Sequence, residues 1–199
     1  LGPMGKAEEG MDASVVFQEG EVRMEHVTLF GDTGRTLLML VRSKASLRKC
    51  GLDGGRDQMV SAFSHTELMD TWASGAGDDA MVVRGGHLKL RDVRVRDAGG
   101  TGLKLRMGAW AEVHRGVLSA ARHGASLDEG SVLTMEGGVL RSDEEEVVVK
   151  RADEFHGANS VDLNGVRPDG GEIAIRQGDG NVVIVDGRKV MVGRPSSKR

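Results

Sequence analysis

The stretch Glu21-Val-Arg-Met-Glu-His-Val-Thr-Leu29 carries its apolar residues at Val22, Met24, Val27 and Leu29. Steps of two residues on either side of a step of three read as two short strands with the same face inward, joined by a two-residue bend. The pattern returns at Ala45, Leu47, Cys50 and Leu52, and more clearly at Leu88, Leu90, Val93 and Val95. Further copies start at Ala111 and Leu133, and a partial one runs through Val161, Leu163 and Val166. Starting residues 22 and 45 are 23 apart, and the gap of 43 from 45 to 88 leaves room for one more coil, filled by Thr66, Leu68, Thr71 and Ala73. The later steps are 23, 22 and 28 residues, so a longer loop is expected near Asp153 to Asn159.

A second ladder runs beside the first. Met81/Val83, Leu103/Leu105, Ala125/Leu127 and Val147/Val149 recur every 22 residues, each pair flanking one outward residue. Leu38/Leu40 is read as its beginning, and Ile173/Ile175 and Val190/Val192 as its continuation with slippage. Three short strands per coil, repeated, predict an all-β fold: a parallel β-helix of about seven coils of roughly 22 residues. Each strand would bond to its equivalent about 4.8 Å along the axis. An apolar period of two argues against an α-solenoid. The recurrent Asn of a leucine-rich repeat is absent, and a β-sandwich would not hold ladders at one period.

Composition agrees. Gly makes up 30 of 199 residues, about twice the usual share, while Pro is 3 and Tyr is 0, which indicates tight turns rather than a linker. The net charge of -3 gives no field that would draw nucleic acid or membrane, and neither is expected as a partner. One cysteine excludes an internal disulfide; the reading leans toward an intracellular protein, though a secreted repeat protein fits equally. Cys50 falls on an inward position and reads as a buried small hydrophobe. Residues 1–13, opening on what reads as a cloning scar, are expected to be a flexible arm. Residues 14–193 form the single β-helix domain, and 194–199 form a polar tail.

The stretch Gly102-Leu-Lys-Leu-Arg-Met-Gly-Ala-Trp-Ala-Glu-Val-His-Arg-Gly-Val-Leu118 resembles the repeat of the pectin-lyase-like superfamily. So does Arg122-His-Gly-Ala-Ser-Leu127 followed by residues 132–140. The resemblance spans about residues 20–192 and implies a right-handed β-helix. That superfamily includes polysaccharide lyases, hydrolases and epimerases, and also non-enzymatic repeat regions of adaptor proteins and fibres. The Asn-Thr-Asp-Gly of polygalacturonases, the Asp-Pro-His of alginate epimerases and the Arg-x-Pro-x-x-Arg of pectate lyases are missing here. The resemblance therefore speaks to fold more than to activity.

The same register sorts the outward residues into columns. One reads Arg23, Ser46, Glu67, Lys89, Glu112, Thr134, Asp162, and the next Glu25, Arg48, Met69, Arg91, His114, Glu136, Asn164. A third reads His26, Lys49, Asp70, Asp92, Arg115, Gly137, Gly165, and a fourth Thr28, Gly51, Trp72, Arg94, Val117, Val139, Arg167. The middle coils thus gather Trp72, Lys89, Arg91, Arg94, His114 and Arg115 on one surface. Arginine forks suit carboxylates, and an indole suits a sugar ring. A mixed-charge face that only keeps a sheet soluble is the plain alternative.

Asp70 and Asp92 would stack on adjacent coils with carboxyls about 5 Å apart, near the spacing of a retaining glycosidase pair. Such a pair should raise one pKa, as an acid catalyst requires. Three expectations follow. The first is a non-enzymatic module presenting a rigid charged face to a protein partner or an anionic glycan. The second is a carbohydrate-active enzyme using Asp70 and Asp92. The third is a self-assembling element that associates through the open β-helix ends. No cofactor and no metal is expected. The acidic turn at Asp143-Glu-Glu-Glu146 reads as solvated rather than as a calcium site, and His123 as a turn residue.

Overall fold

A computed structural model describes residues 13–32, 34–152, 155, 157–168 and 173–190. Among the described residues every strand pairing but one is parallel, and the chain winds as a β-solenoid of about eight turns at a spacing of about 22 residues. The first ladder runs Val22, Ala45, Thr66, Leu88, Ala111, Leu133, Val161 and Val183. Its last rung is one more than the seven coils read from the sequence. The 28-residue step holds: Leu133 pairs with Val161 across the longer connection.

Successive rungs stack like on like. Leu47, Leu68, Leu90, Val113, Met135 and Leu163 form one inward stack, and each is at most 1% exposed. The second ladder also starts earlier than expected, because Val15/Phe17 pair with Leu38/Leu40, which pair with Met59/Ser61 and then Met81/Val83. The coil at 66–73 is real although two of its four inward residues, Thr66 and Thr71, are polar. Thr66 Oγ1 lies 2.9 Å from Ser61 Oγ, and Thr71 Oγ1 donates to the Met69 carbonyl at 3.0 Å. Buried hydroxyls with partners cost little, which is why this rung tolerates threonine where the next rung carries Leu88 and Val93.

The bends are single left-handed residues. His26, Lys49, Asp70, Asp92 and Arg115 all have φ between 50° and 55°, and Gly137 and Gly165 continue the column at 63° and 62°. The third column is therefore a corner and not part of a strand. Non-glycine residues there cost roughly 1–2 kcal/mol each. The strands on both sides, bonded to the rungs above and below, hold them in place.

The two ends differ. Among the described residues the first strand, Ala13–Glu25, pairs on one side only, with Thr36–Arg48. At the other end the chain reverses at Asp186 and Gly187, and Arg188–Lys189 pairs antiparallel with Val182–Val185. Val190 belongs to this hairpin, its N–H donating to the Val183 carbonyl at 2.8 Å, so it does not extend the second ladder; Val192 lies outside the described residues. Ile175, not Ile173, is the residue that pairs with Val147. Ala13, assigned to the arm, opens the first strand, and the rest of the expected arm and the polar tail lie outside the described residues.

Candidate ligand-binding face

Three of the four outward columns stand in the predicted register as paired strands, and the third column forms the corner between them. They do not form one flat surface. The columns of Lys89 and of Arg91 and His114 lie on one run of strands, Asp70, Asp92 and Arg115 lie on the corner, and Trp72 and Arg94 lie on the strands beyond it. The site is a ridge with two flanks.

Charges on it pair along the axis, one rung to the next. Lys89 Nζ is 3.4 Å from Glu112 Oε2, and His114 Nδ1 is 3.1 Å from Glu136 Oε2. Arg115 donates from Nε and Nη2 to both oxygens of Asp92, at 2.8 and 2.6 Å. These bonds hold the Asp92 carboxyl below the ordinary carboxylate range, with desolvation opposing them and the charges of Arg115, Arg91 and Arg94 adding to their effect. The same bonds raise the Arg115 guanidinium, helped by the nearby Asp70 charge. The upward shift expected of a stacked aspartate pair is not found at Asp92. Arg115, one rung on, closes on Asp92 and keeps it an anion, the opposite of what a general acid needs.

Some basic residues of these columns stay outside the pairs, Arg48 and Lys49 among them. Arg91 and Arg94 are exposed and have no ion-pair partner among the described residues. Next to Arg94 in the fourth column, Trp72 lies over Gly51 and is 40% exposed. A Cβ at position 51 would sit 2.5 Å from Trp72 Cζ2, so glycine is what lets the indole settle there. The result is an aromatic surface beside the Arg94 guanidinium, with Arg91 across the corner on the other flank.

A further column was not anticipated. Glu21, Lys44, His65, His87, Trp110 and Val132 align one step before the Arg23 column. Counting back one outward position from each repeat at 21 to 23 residues would have found it. His87 stacks on Trp110 with centroids 4.7 Å apart and an interplanar angle of 20°. Its Nδ1 lies 3.0 Å from His65 Nε2. Burial lowers the His87 pKa, assisted by His65 and Lys89 and opposed by Glu112. Beside this column lies a shallow concavity of about 230 Å³, lined in part by Arg23, Lys44, Ser46, His65, Glu67 and Lys89. Its lining mixes both charge signs.

No protein family, curated protein or solved structure matches this chain.

Proposed function

We propose that this protein is a non-catalytic binding module, a β-solenoid of the pectin-lyase-like kind, that holds an acidic glycan along its ridge. The observation that carries the reading is Trp72, laid over Gly51 beside Arg94, with Arg91 across the corner; neither arginine closes into an ion pair among the described residues. An indole face takes the apolar face of a sugar ring, and guanidinium forks take the carboxylates or sulfates that such a chain repeats. A solenoid suits an extended ligand because its rungs repeat at a fixed rise. The bidentate Arg115–Asp92 pair supports a binding role over catalysis, since it ties down the aspartate that an acid catalyst would need free.

The test is calorimetric titration with polygalacturonate, with dextran as the neutral control. Binding to polygalacturonate alone is expected, weakening as salt rises. Each of Trp72→Ala and the double variant Arg91→Ala/Arg94→Ala should weaken it about tenfold or more. Equal binding by the double variant would overturn the proposal. So would the release of unsaturated sugars, which would favour the enzymatic reading. Binding of an acidic protein but not of polygalacturonate would assign the ridge to a protein partner instead.

A further inference from the structure

His65, His87 and Trp110 stand in one outward column on three successive rungs. Their contacts decide where protons can sit. His87 Nδ1 and His65 Nε2 are 3.0 Å apart, a hydrogen bond that needs one proton and one lone pair between them. The other ring nitrogen of His87, Nε2, is buried and makes no hydrogen bond. Glu112 Oε1 lies 3.4 Å from it. A carboxylate facing a buried ring nitrogen favours a proton there over a lone pair. The tautomers follow from that assignment. His87 carries its proton on Nε2 and accepts at Nδ1, so His65 donates from Nε2 and keeps an unprotonated Nδ1.

Only one nitrogen of the pair can then take a further proton without losing a bond. Protonating His87 at Nδ1 would set two donors against each other across 3.0 Å. Its burial, with Trp110 stacked on one face, opposes the charge as well. Protonating His65 at Nδ1 keeps every contact, and His65 is exposed. The added charge therefore belongs to His65.

His65 lines the concavity of about 230 Å³ beside this column. Ser46, between Arg23 and Glu67 in the register, is too short to fill the gap. Three cations reach the region, Arg23, Lys44 and Lys89. Three carboxylates oppose them. Glu21 lies 3.5 Å from Arg23 and 3.9 Å from Lys44, Glu112 lies 3.4 Å from Lys89, and Glu67 lines the concavity itself. Together with His87 these are the charged and titratable groups that line the concavity or touch the imidazole pair. With His65 neutral their charges cancel; with His65 protonated the region is left net positive.

We propose that this concavity is an anion subsite, switched on by protonation of His65, that seats a carboxylate of the acidic glycan. The inference rests on the glycan reading and extends it. Lys89 belongs both to the ridge flank, two residues from Arg91, and to the concavity, so a chain held at Arg91 can continue over Lys89.

The test is calorimetric titration of the full chain with polygalacturonate at about pH 7.5 and about pH 5.5, a range in which uronate carboxylates stay ionised. Affinity should rise about twofold to fivefold at the lower pH, the worth of one exposed ion pair. Because the coupling is reciprocal, binding between those values should take up protons, read from buffers of different ionisation heat. His65→Gln should keep the affinity of the higher pH and abolish both the rise and the proton uptake. Glu67→Gln removes a balancing carboxylate and should raise the affinity at the higher pH by a similar factor. A rise that survives His65→Gln would overturn the proposal. Equal affinity at both pH values would overturn it too, while leaving the ridge reading standing. Absence of binding at either pH would sink the ridge reading and this one together. The ligand-free protein gives an independent check by ¹⁵N imidazole spectroscopy. His65 Nδ1 should take the first proton while His87 keeps its Nε2–H. First protonation at His87 would overturn the switch whatever the glycan does.

Discussion

Replacing Gly51 with Ala tests whether Trp72 works as a platform. The new Cβ would lie 2.5 Å from Cζ2 and 2.6 Å from Cε2 of Trp72, and 2.9 Å from Thr28 Cγ2. Carbon atoms in contact sit about 3.5–4.0 Å apart, so the indole must retreat by roughly 1 Å or swing away. The backbone raises no objection, since Gly51 is not among the residues with positive φ. Trp72 is 40% exposed and has solvent to move into. The stability cost should therefore fall near the low end of the range for overpacking, about 1 kcal/mol. The effect on binding should be larger in proportion, because the ring leaves its seat beside Arg94. In a Trp110→Phe background Trp72 is the only fluorophore of its kind. Gly51→Ala should then red-shift its emission, increase acrylamide quenching and weaken polygalacturonate binding about threefold to tenfold. An unshifted spectrum would mean that the indole does not cover Gly51. A shifted spectrum with unchanged affinity would show that the ring is not part of the ligand surface.

Other substitutions probe separate parts of the argument. Asp92→Asn releases the Arg115 fork, so affinity for polygalacturonate should rise, by no more than about fivefold for an exposed charge; an enzyme that uses Asp92 would instead lose its activity. Leu90→Ala empties part of a fully buried stack and should cost about 2–5 kcal/mol in urea unfolding, and a cost under about 1 kcal/mol would contradict the packing described. His87, facing Glu112, His65 and Lys89, has its pKa lowered in the folded state. The unfolded chain then binds more protons from the ordinary value near 6.5 down to the folded value. Stability should fall as pH drops through that window and level off below it. His87→Gln should remove that part of the slope, and identical urea-unfolding profiles from pH 7.5 to 5 would refute it.

The alternation of two and three residues was enough to place four outward columns, because a strand has only two faces and the ladder fixes which one is inside. Corner geometry was not legible. Lys49, Asp70, Asp92 and Arg115 occupy left-handed positions without the glycine that usually announces one. Their conformation comes from strands bonded on both sides, which no local stretch reveals. The Asp92–Arg115 pair was hidden for a related reason. Both residues were placed on the ridge, but which charges would close on each other depends on side-chain reach across a rung. The hairpin had a signal in Asp186-Gly187, a favoured two-residue turn. The Val190/Val192 alternation imitates a ladder copy and obscures it. The ion pairs of His123 with Glu144 and Glu145 were hidden in the same way, since the partners meet from neighbouring coils.

The backbone of this solenoid is periodic, but its charges are not. Glu67 stands beside Lys89, and Lys89 beside Glu112. Were the chain to misthread by one whole coil, much of the strand pairing and inward stacking could be remade. Glu67 would then face Glu112, and Asp70 would meet Arg115 with Asp92 displaced. Along Glu67, Lys89 and Glu112 the alternating signs thus act as serial numbers, giving the correct winding an advantage there that hydrophobic stacking alone cannot supply, while the corner column, with Asp70 next to Asp92, does not add to it. Excision of one coil, a natural experiment for any repeat protein, should accordingly preserve the fold more readily where the newly adjacent charges still differ in sign.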